Sequence, residues 1–196
     1  MSLKRTVVIG TSCSGKTTFA RKLAQIINVQ HIELDALNWL PDWTPRTNEE
    51  FRTLVEKAVS ADEWVVDGNY SKTRDIVWSR ATALVWLNYS FPVVLSRAFN
   101  RTIRRIFDRE VLFSGNRETF RMAFLSRDSI LLWVLKTYHR RQREYPHLLS
   151  EPEGRDVEIQ VFRTPEEAED FLSQLEKKSE LKFCARGVVR GQNKDK

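Results

Sequence analysis

The feature that most constrains this chain is an eight-residue segment near its N-terminus, residues 10–17. It reads Gly-Thr-Ser-Cys-Ser-Gly-Lys-Thr, so glycines stand at its first and sixth positions and Lys16 and Thr17 close it. An apolar, β-branched run precedes it over residues 6–10, and apolar residues at helical spacing follow it over residues 16–27. The pattern predicts a strand, a tight turn and an amphipathic helix in direct succession.

A strand, turn and helix with this spacing are typical of a phosphate-binding loop, the P-loop. The glycines let successive backbone N–H groups point inward at phosphate oxygens, and the helix presents the positive end of its dipole there. We expect Lys16 to reach the β- and γ-phosphates of a nucleoside triphosphate and Thr17 to place its hydroxyl on Mg²⁺. The predicted nucleotide-binding set comprises Gly10, Thr11, Ser12, Cys13, Ser14, Gly15, Lys16, Thr17 and Thr18.

Beyond the P-loop, short apolar strands alternate with helical patterns. Further strands are predicted over residues 31–35, 64–67, 83–87 and 157–162. Helices are predicted to begin at the capping boxes of Thr47 and Thr164 and to cover residues 92–109 and about 129–143. The alternation predicts an α/β fold, a P-loop NTPase three-layer sandwich with a five-stranded parallel sheet and an Arg-rich helical lid.

We expect a single domain over residues 1–177, with an acceptor segment at about 36–63 and the lid at about 92–145. The mixed basic composition of residues 178–196 favours a solvated or disordered tail. The chain of 196 residues has no apolar run near the ~20 residues that cross a bilayer, and its two cysteines give no disulfide framework. These observations predict a cytoplasmic protein with no membrane partner.

Two aspartates follow predicted strands. Asp35 is predicted to end the second strand and Asp67 the third. The carboxyl ends of the strands form the ligand crevice in an open α/β sheet, so both side chains should lie beside the P-loop. We expect Asp67 to hold a magnesium-bound water and Asp35 to orient an acceptor hydroxyl or to act as a base. The alternative for each aspartate is a helix cap or a turn.

Arginine dominates residues 97–127, which contain eight Arg, no Lys and three acids. The first four recur on one face of the predicted helix, away from its apolar stripe. Because arginine stabilises the charge on a transferring phosphoryl group, we expect Arg101 and Arg105 to act in catalysis. Arg97 and Arg104 are expected to bind the nucleotide. The alternatives are a solvated basic face or a nucleic-acid patch.

The remaining basic residues leave two questions open. Arg140, Arg141 and Arg143 are candidates to approach the phosphates from the returning helix, and their spacing does not choose among them. The net charge of +6 is compatible with nucleic acid, but the chain has no helix-turn-helix or zinc-finger pattern, so nucleic acid is an unlikely partner.

The motifs after the P-loop resemble those of the adenylate kinase group of P-loop kinases. Residues 65–68, Val-Val-Asp-Gly, resemble the strand and Asp-Gly turn of that group, and Arg97 and Arg101 resemble the arginines that open its lid. More narrowly, residues 34–39 (Leu-Asp-Ala-Leu-Asn-Trp) and 67–70 (Asp-Gly-Asn-Tyr) resemble the topology modulation proteins, which are related to adenylate kinases. The resemblance covers about residues 4–176.

The acceptor side differs from adenylate kinase. That group continues its Asp-Gly turn with Phe-Pro-Arg, where this chain has Asn-Tyr-Ser-Lys at residues 69–72. Lys72 and Arg74 are the candidates to replace the missing phosphate-gripping arginine, and Arg46 is a further candidate for an acceptor phosphate. Trp39 is a candidate to stack on a base or sugar, although packing within a small subdomain is the alternative.

Taken together, the residues and the resemblance predict an ATP- and Mg²⁺-dependent kinase acting on a small-molecule or nucleotide acceptor. The alternative is a regulator of the topology-modulation type that binds ATP and hydrolyses it slowly. The three histidines, among them His31, have no catalytic or metal-ligand arrangement in the sequence, and we expect them to be structural or surface residues. The sequence does not specify the acceptor or the oligomeric state.

Overall fold

A parallel five-stranded sheet forms the centre of the molecule. The computed structural model describes residues 2–107, 112–116, 130–150 and 157–191. The strands are β1 (Arg5–Gly10), β2 (Gln30–Glu33), β3 (Trp64–Asp67), β4 (Ala83–Leu87) and β5 (Glu158–Phe162). They pair in the order β2-β3-β1-β4-β5, and every pair is parallel. The end of β1, where the P-loop begins, is therefore flanked by the ends of β3 and β4.

Seven helices connect or follow these strands in the described part of the chain. They are α1 (Lys16–Ile27), α2 (Leu34–Asn38), α3 (Asn48–Ala58), α4 (Arg74–Arg80), α5 (Phe91–Phe107), α6 (Ile130–Ser150) and α7 (Pro165–Gly191). The predicted capping box at Thr47 is present at the start of α3, with the Thr47 hydroxyl and the Glu50 side chain each bonding the other's backbone N–H.

Alternating strand residues supply two separate hydrophobic cores. On one face, Val8 and Val85 pack with α1, α5 and α7, and Val134 and Tyr138 of α6 join them. On the other face, Val7 and Trp86 pack with α3 and α4 and with the end of α6. The sheet is thus covered on both sides, which confirms the predicted three-layer α/β sandwich.

The structure contradicts the sequence prediction at Asp35 and adds detail at two helices. Asp35 does not end β2, because that strand stops at Glu33 and Asp35 lies in the first turn of α2. No bounds were predicted for helix α4, since its seven residues carry little periodic signal. Helix α7 spans Pro165–Gly191 and so crosses residue 177, and the predicted domain end there stays a prediction.

Part of the predicted arginine-rich lid lies outside the described residues, including Arg109, Arg117, Arg121 and Arg127. The predicted helix of residues 92–109 corresponds to α5, and a turn of 3₁₀ helix covers Phe113–Gly115. In the described ranges, every helix is too short or too polar to span a bilayer.

Candidate functional site

The P-loop occupies the gap between the end of β1 and the start of α1. Cys13 has a φ of 65° and Gly15 a φ of 93°, so the chain turns through left-handed conformations before the helix begins. The first N–H groups of a helix lack intrahelical partners, and they lie at this turn. Thr11 and Ser14 are buried, Ser12 is half-buried and Thr18 is exposed on the first turn of α1.

Gly10 is required by a close backbone neighbour, and Gly15 is required by its left-handed φ of 93°. A Cβ atom on Gly10 would lie 2.8 Å from the carbonyl oxygen of Leu87, and one on Gly15 would lie 3.0 Å from Nη1 of Arg97. The buried Ser14 hydroxyl has no hydrogen-bond partner among the described residues. These features fit a loop whose polar groups are completed by a phosphate.

Lys16 bends back over the loop and donates from Nζ to the carbonyl oxygen of Thr11 over 3.1 Å. Burial, and after it the charge of Arg141, lower the pKa of Lys16 to about 8, although Asp67 and Asp35 act in the opposite direction. A half-buried ammonium group without an ion-pair partner within 4 Å in the described residues is well placed to receive an anion.

Thr17 and Asp67 meet at the carboxyl edge of the sheet, as the sequence predicts. The Thr17 hydroxyl donates to Oδ2 of Asp67 over 2.7 Å, and Oε1 of Glu33 lies 3.2 Å from the same hydroxyl. Burial, followed by the charge of Asp67, raises the pKa of Glu33. A hydroxyl flanked by two carboxylates is suitable for a hard divalent cation that uses oxygen ligands.

His31 holds the other side of the Asp67 carboxylate. Its Nε2 lies 2.7 Å from Oδ1 of Asp67, which is 3% exposed. The parallel register of β2 and β3 places Glu33 opposite Asp67 and His31 opposite Val65, and this register brings both side chains to the cluster. The expectation that His31 is a structural or surface residue missed this contact because strand pairing is not visible in the sequence.

Asp35 stands beside this cluster on α2. The Tyr70 hydroxyl donates to Oδ1 of Asp35 over 2.5 Å, and the Tyr70 ring packs edge-on against Phe51 at 4.9 Å. Burial, followed by the charge of Asp35, raises the pKa of Tyr70, so the phenol stays protonated and remains a donor. The Asp35 side chain is therefore held in place by a neutral donor.

Two of the predicted lid arginines contact the P-loop. Arg97 donates from Nη1 to the carbonyl oxygen of Ser14 over 2.9 Å and stacks on Tyr89, while Nη1 of Arg101 lies 3.7 Å from Sγ of Cys13. Arg104 is exposed and Arg105 half-buried further along α5. The first two arginines thus lie over the loop, and the catalytic role of Arg105 and the nucleotide role of Arg104 stay predictions.

The predicted acceptor residues lie on both sides of Asp35. Trp39 packs edge-on against Trp43 at 5.8 Å, and Nε of Arg46 donates to the Leu37 carbonyl oxygen at the end of α2 over 3.1 Å. Arg74 lies 5.3 Å from the ring centre of Trp78 and lines a cleft. That cleft lies between the sheet, α4 and α6 and is also lined by Leu34, Asn69, Tyr70 and Tyr145.

The turn over Phe113–Gly115 is fastened to the acceptor segment. The side chain of Asn116 donates to the carbonyl oxygen of Leu40 over 2.9 Å and accepts from the backbone N–H of Trp43 over 3.0 Å. The Ser114 hydroxyl adds a bond of 2.7 Å to the carbonyl oxygen of Trp39. Asn116 is 6% exposed, and no local pattern in the sequence indicates this role.

The three arginines that spacing could not separate differ in burial, and which of them approaches the phosphates stays a prediction. Arg141 is buried on α6, whereas Arg140 and Arg143 are exposed. Arg140 pairs with Glu144 at 3.6 Å on the outer surface of the helix. The charge of Arg141 is, after burial, the second influence that lowers the pKa of Lys16.

Solved structures with a similar fold include two shikimate kinases. The enzyme from Acinetobacter baumannii, in complex with shikimate, is 13% identical over 98% of this chain and 97% of its own, with a TM-score of 0.54. The enzyme from Bacteroides thetaiotaomicron is 14% identical over 91% of this chain and 99% of its own, with a TM-score of 0.53. At such identities the likeness establishes the P-loop kinase fold, and no more.

A gluconokinase from Sinorhizobium meliloti 1021 is also similar, at 19% identity over 97% of this chain and 98% of its own, with a TM-score of 0.48. No protein-family model matches the chain, and no curated protein matches it.

Proposed function

We propose that this protein is a kinase that transfers the γ-phosphoryl group of ATP to a hydroxyl group of a small molecule. The observation that carries the proposal is the arrangement of Lys16, the Thr17–Asp67 pair and Asp35 around the carboxyl ends of β1, β2 and β3. Nucleotide-binding and acceptor-orienting groups are the two components of a phosphotransfer site, and they adjoin here.

In this proposal, Thr17 and Asp67 hold Mg²⁺, and Glu33 and His31 support them. The ion would supply neutralisation of phosphate charge. Lys16 binds the β- and γ-phosphate oxygens, while Arg97 and Arg101 lie above the loop on α5. Their positive charges stabilise the negative charge that spreads over the transferring group.

Asp35 acts on the acceptor. Held by Tyr70, it accepts a hydrogen bond from the acceptor hydroxyl and takes its proton as the oxygen–phosphorus bond forms. The bond between the γ-phosphorus and the bridging oxygen breaks at the same time, and ADP leaves with the electron pair. The acceptor segment of residues 36–63 and helix α5, the described start of the predicted lid, would close over the reactants from two sides.

The narrower resemblance to adenylate kinases and topology modulation proteins is part of the same proposal. It is supported by Asp67-Gly68-Asn69-Tyr70, of which Tyr70 holds Asp35 and Asn69 donates from Nδ2 to the Gly10 carbonyl oxygen over 2.5 Å. The turn therefore joins Asp35, the proposed general base, to Gly10 at the start of the P-loop.

The decisive experiment is an acceptor screen with γ-labelled ATP and Mg²⁺ over nucleotides, nucleosides, sugars, polyols and hydroxy acids. We expect label transfer to at least one class of acceptor. The same screen with the Asp35→Asn variant measures the background. Tight ATP binding together with hydrolysis that no acceptor accelerates would contradict the proposal.

Nucleotide binding should take up protons above neutral pH. The pKa of Lys16 is about 8 in the free protein, and a bound polyphosphate raises it, so Lys16 is protonated on binding between about pH 8 and the raised value. Affinity for ATP should accordingly fall as the pH rises above 8. Calorimetric titrations at pH 9 in two buffers of different ionisation heat measure the uptake, which approaches one proton per nucleotide.

The control for proton uptake is Lys16→Met, in which the buffer dependence should vanish. An uptake that persists in this variant would assign the proton to another group.

Replacing His31 should weaken the metal site without removing it. Groups that orient a metal ligand typically change metal affinity by about 10- to 100-fold when they are lost. We expect the ratio of ATP affinities with Mg²⁺ and with a chelator to fall by about tenfold in His31→Leu, because Asp67 loses the donor that fixes its carboxylate. His31→Gln, which retains a donor, should recover part of the ratio.

His147→Leu is the matched control for His31, since His147 is exposed on α6. An equal affinity ratio in His31→Leu and the wild type would mean that Asp67 does not depend on the imidazole.

A further inference from the structure

Helix α7 continues well beyond its last packed residue. Leu175 packs against the core, whereas residues 176–181 are all exposed. The Ser179 hydroxyl donates to the Ile26 carbonyl oxygen over 3.4 Å, which is the last hydrogen bond between α7 and the rest of the chain among the described residues. The helix then continues to Gly191. Because isolated helices below about 12–15 residues are marginal in water, this extension needs a partner.

A groove of about 410 Å³ runs between α1 and α7. It is lined by three carboxylates, from Glu169, Glu176 and Glu180, with the buried Leu172 between them. Lys22 of α1 also lines the groove and pairs with Glu169 over 2.8 Å. Glu176 and Glu180 have no ion-pair partner in the part of the chain that the structure describes. The groove is therefore acidic, with two carboxylates open to a cation from outside.

The charges along α7 are arranged in a way that pairing within the helix does not explain. Glu176 and Glu180 are four residues apart, and cations recur at the same interval at residues 178, 182, 186 and 190. Residues four apart are neighbours on a helix, where like charges repel. The acidic series and the basic series are each unfavourable in an isolated α7, and each requires opposite charge from elsewhere.

We propose that α7 pairs antiparallel with α7 of a second copy of this chain, so that the end of each helix lies along the acidic groove of the other. A two-fold axis near Ser179 brings the acidic half of each helix against the basic half of its partner. The facing positions are Glu169 with Arg190, Glu176 with Lys182, and Glu180 with Lys178. Each pair occurs twice, because a two-fold interface uses the same surface of both copies.

A second copy accounts for both series of charges with one contact, whereas an anionic surface would match only the cations. Exposed ion pairs are individually weak, and their pattern chiefly sets the partner and the register. Leu181, which is 70% exposed, stands two residues from the axis and adds apolar area at the centre of the interface from both copies. This inference is independent of the proposed kinase function.

The test is the mass of the full chain in solution, measured by sedimentation over a range of concentrations. The wild type should approach twice the 23.0 kDa of one chain, and high salt should weaken the association because it screens exposed charges. One double variant reverses the acids, Glu176→Lys with Glu180→Lys, and the other reverses the cations, Lys178→Glu with Lys182→Glu. Each places like charges opposite each other and should weaken the association by about 100-fold or more.

An equimolar mixture of the two double variants is the sharpest measurement. At the four reversed positions, one chain then carries only cations and the other only acids. The mixture should form a heterodimer with an affinity near that of the wild type, although neither variant associates alone. Association that returns only in the mixture also shows that both variants are folded.

Glu49→Lys with Glu56→Lys is the matched control, because both residues are exposed on α3 and the change in net charge equals that of the acid-reversed variant. This control should associate as the wild type does. A wild type that stays monomeric at every concentration would overturn the inference, and so would a mixture that associates no better than its components. Binding of a monomeric wild type to vesicles of phosphatidylcholine and phosphatidylserine would assign the cations to a membrane surface instead.

Discussion

Lys16→Met should lose ATP affinity by about two orders of magnitude while the protein remains folded. Losing one partner of a buried charged contact typically costs about 2–5 kcal/mol, which corresponds to about 30- to 5,000-fold in Kd. The Nζ atom already lies within the P-loop, 3.1 Å from the Thr11 carbonyl oxygen. Equilibrium binding of a fluorescent ATP analogue measures the loss.

The same substitution should not destabilise the free protein at pH 7. Folding lowers the pKa of Lys16 from 10.5 to about 8, so the unfolded chain binds more protons than the folded one between these values. The penalty for burying the ammonium group is therefore present in full below pH 8 and disappears as the pH rises toward 10.5. A methionine removes this penalty, and thermal unfolding of the free protein at pH 7 should begin no earlier than in the wild type.

The control for this substitution is Lys22→Met on the same helix. Lys22 is exposed and pairs with Glu169 at 2.8 Å, away from the loop. Its ATP affinity should match the wild type. If Lys16→Met bound ATP as tightly as Lys22→Met does, the assignment of residues 10–17 as the phosphate site would be wrong.

Asp35→Asn should reduce kcat by about 10²- to 10⁴-fold, the usual contribution of a positioned general base. The amide keeps the size of the side chain and can still accept the Tyr70 hydroxyl, so the local packing should survive. It cannot take the proton of the acceptor hydroxyl. The KM for ATP should stay near its wild-type value, because the P-loop contacts are unchanged.

Two variants make the Asp35 result specific. Asp42→Asn changes an exposed aspartate of the same segment whose φ is 57°, a conformation that asparagine also adopts, and it should leave kcat unchanged. Tyr70→Phe removes the donor to Asp35 and should lower kcat by a smaller factor than Asp35→Asn. A kcat in Asp35→Asn equal to that of Asp42→Asn would exclude the base role.

Local patterns were sufficient to predict the fold and the contact between Thr17 of the P-loop and Asp67. The P-loop depends on residues adjacent in the chain, and Asp67 follows an apolar strand directly, so the meeting of Thr17 with Asp67 was predictable. Asp35 was predicted at the correct edge of the sheet but in the wrong element, because residues 31–35 read equally well as a continuous strand. In the structure, α2 begins one residue before Asp35.

The unpredicted parts of the site depend on contacts between distant segments. His31 and Glu33 reach the cluster through the register of β2 against β3, which the sequence does not encode locally. Arg141 was one of three arginines within four residues, and its burial depends on how α6 lies against the sheet. The apolar residues of α6 join both cores, so no single stripe revealed its buried face.

The bonds from Asn116 join the tip, the turn of residues 112–116, to the turn of residues 40–43 in the acceptor segment, so that the two turns move together. The Asn116 amide donates to the Leu40 carbonyl oxygen and accepts from the Trp43 N–H, as a neighbouring backbone segment would. The Ser114 hydroxyl adds a third bond, to the Trp39 carbonyl oxygen. A substrate that displaces this turn must therefore carry the tip with it. Because the indoles of Trp39 and Trp43 stand at this junction, their fluorescence should report the approach of an acceptor and the displacement of the Phe113–Gly115 turn as one event.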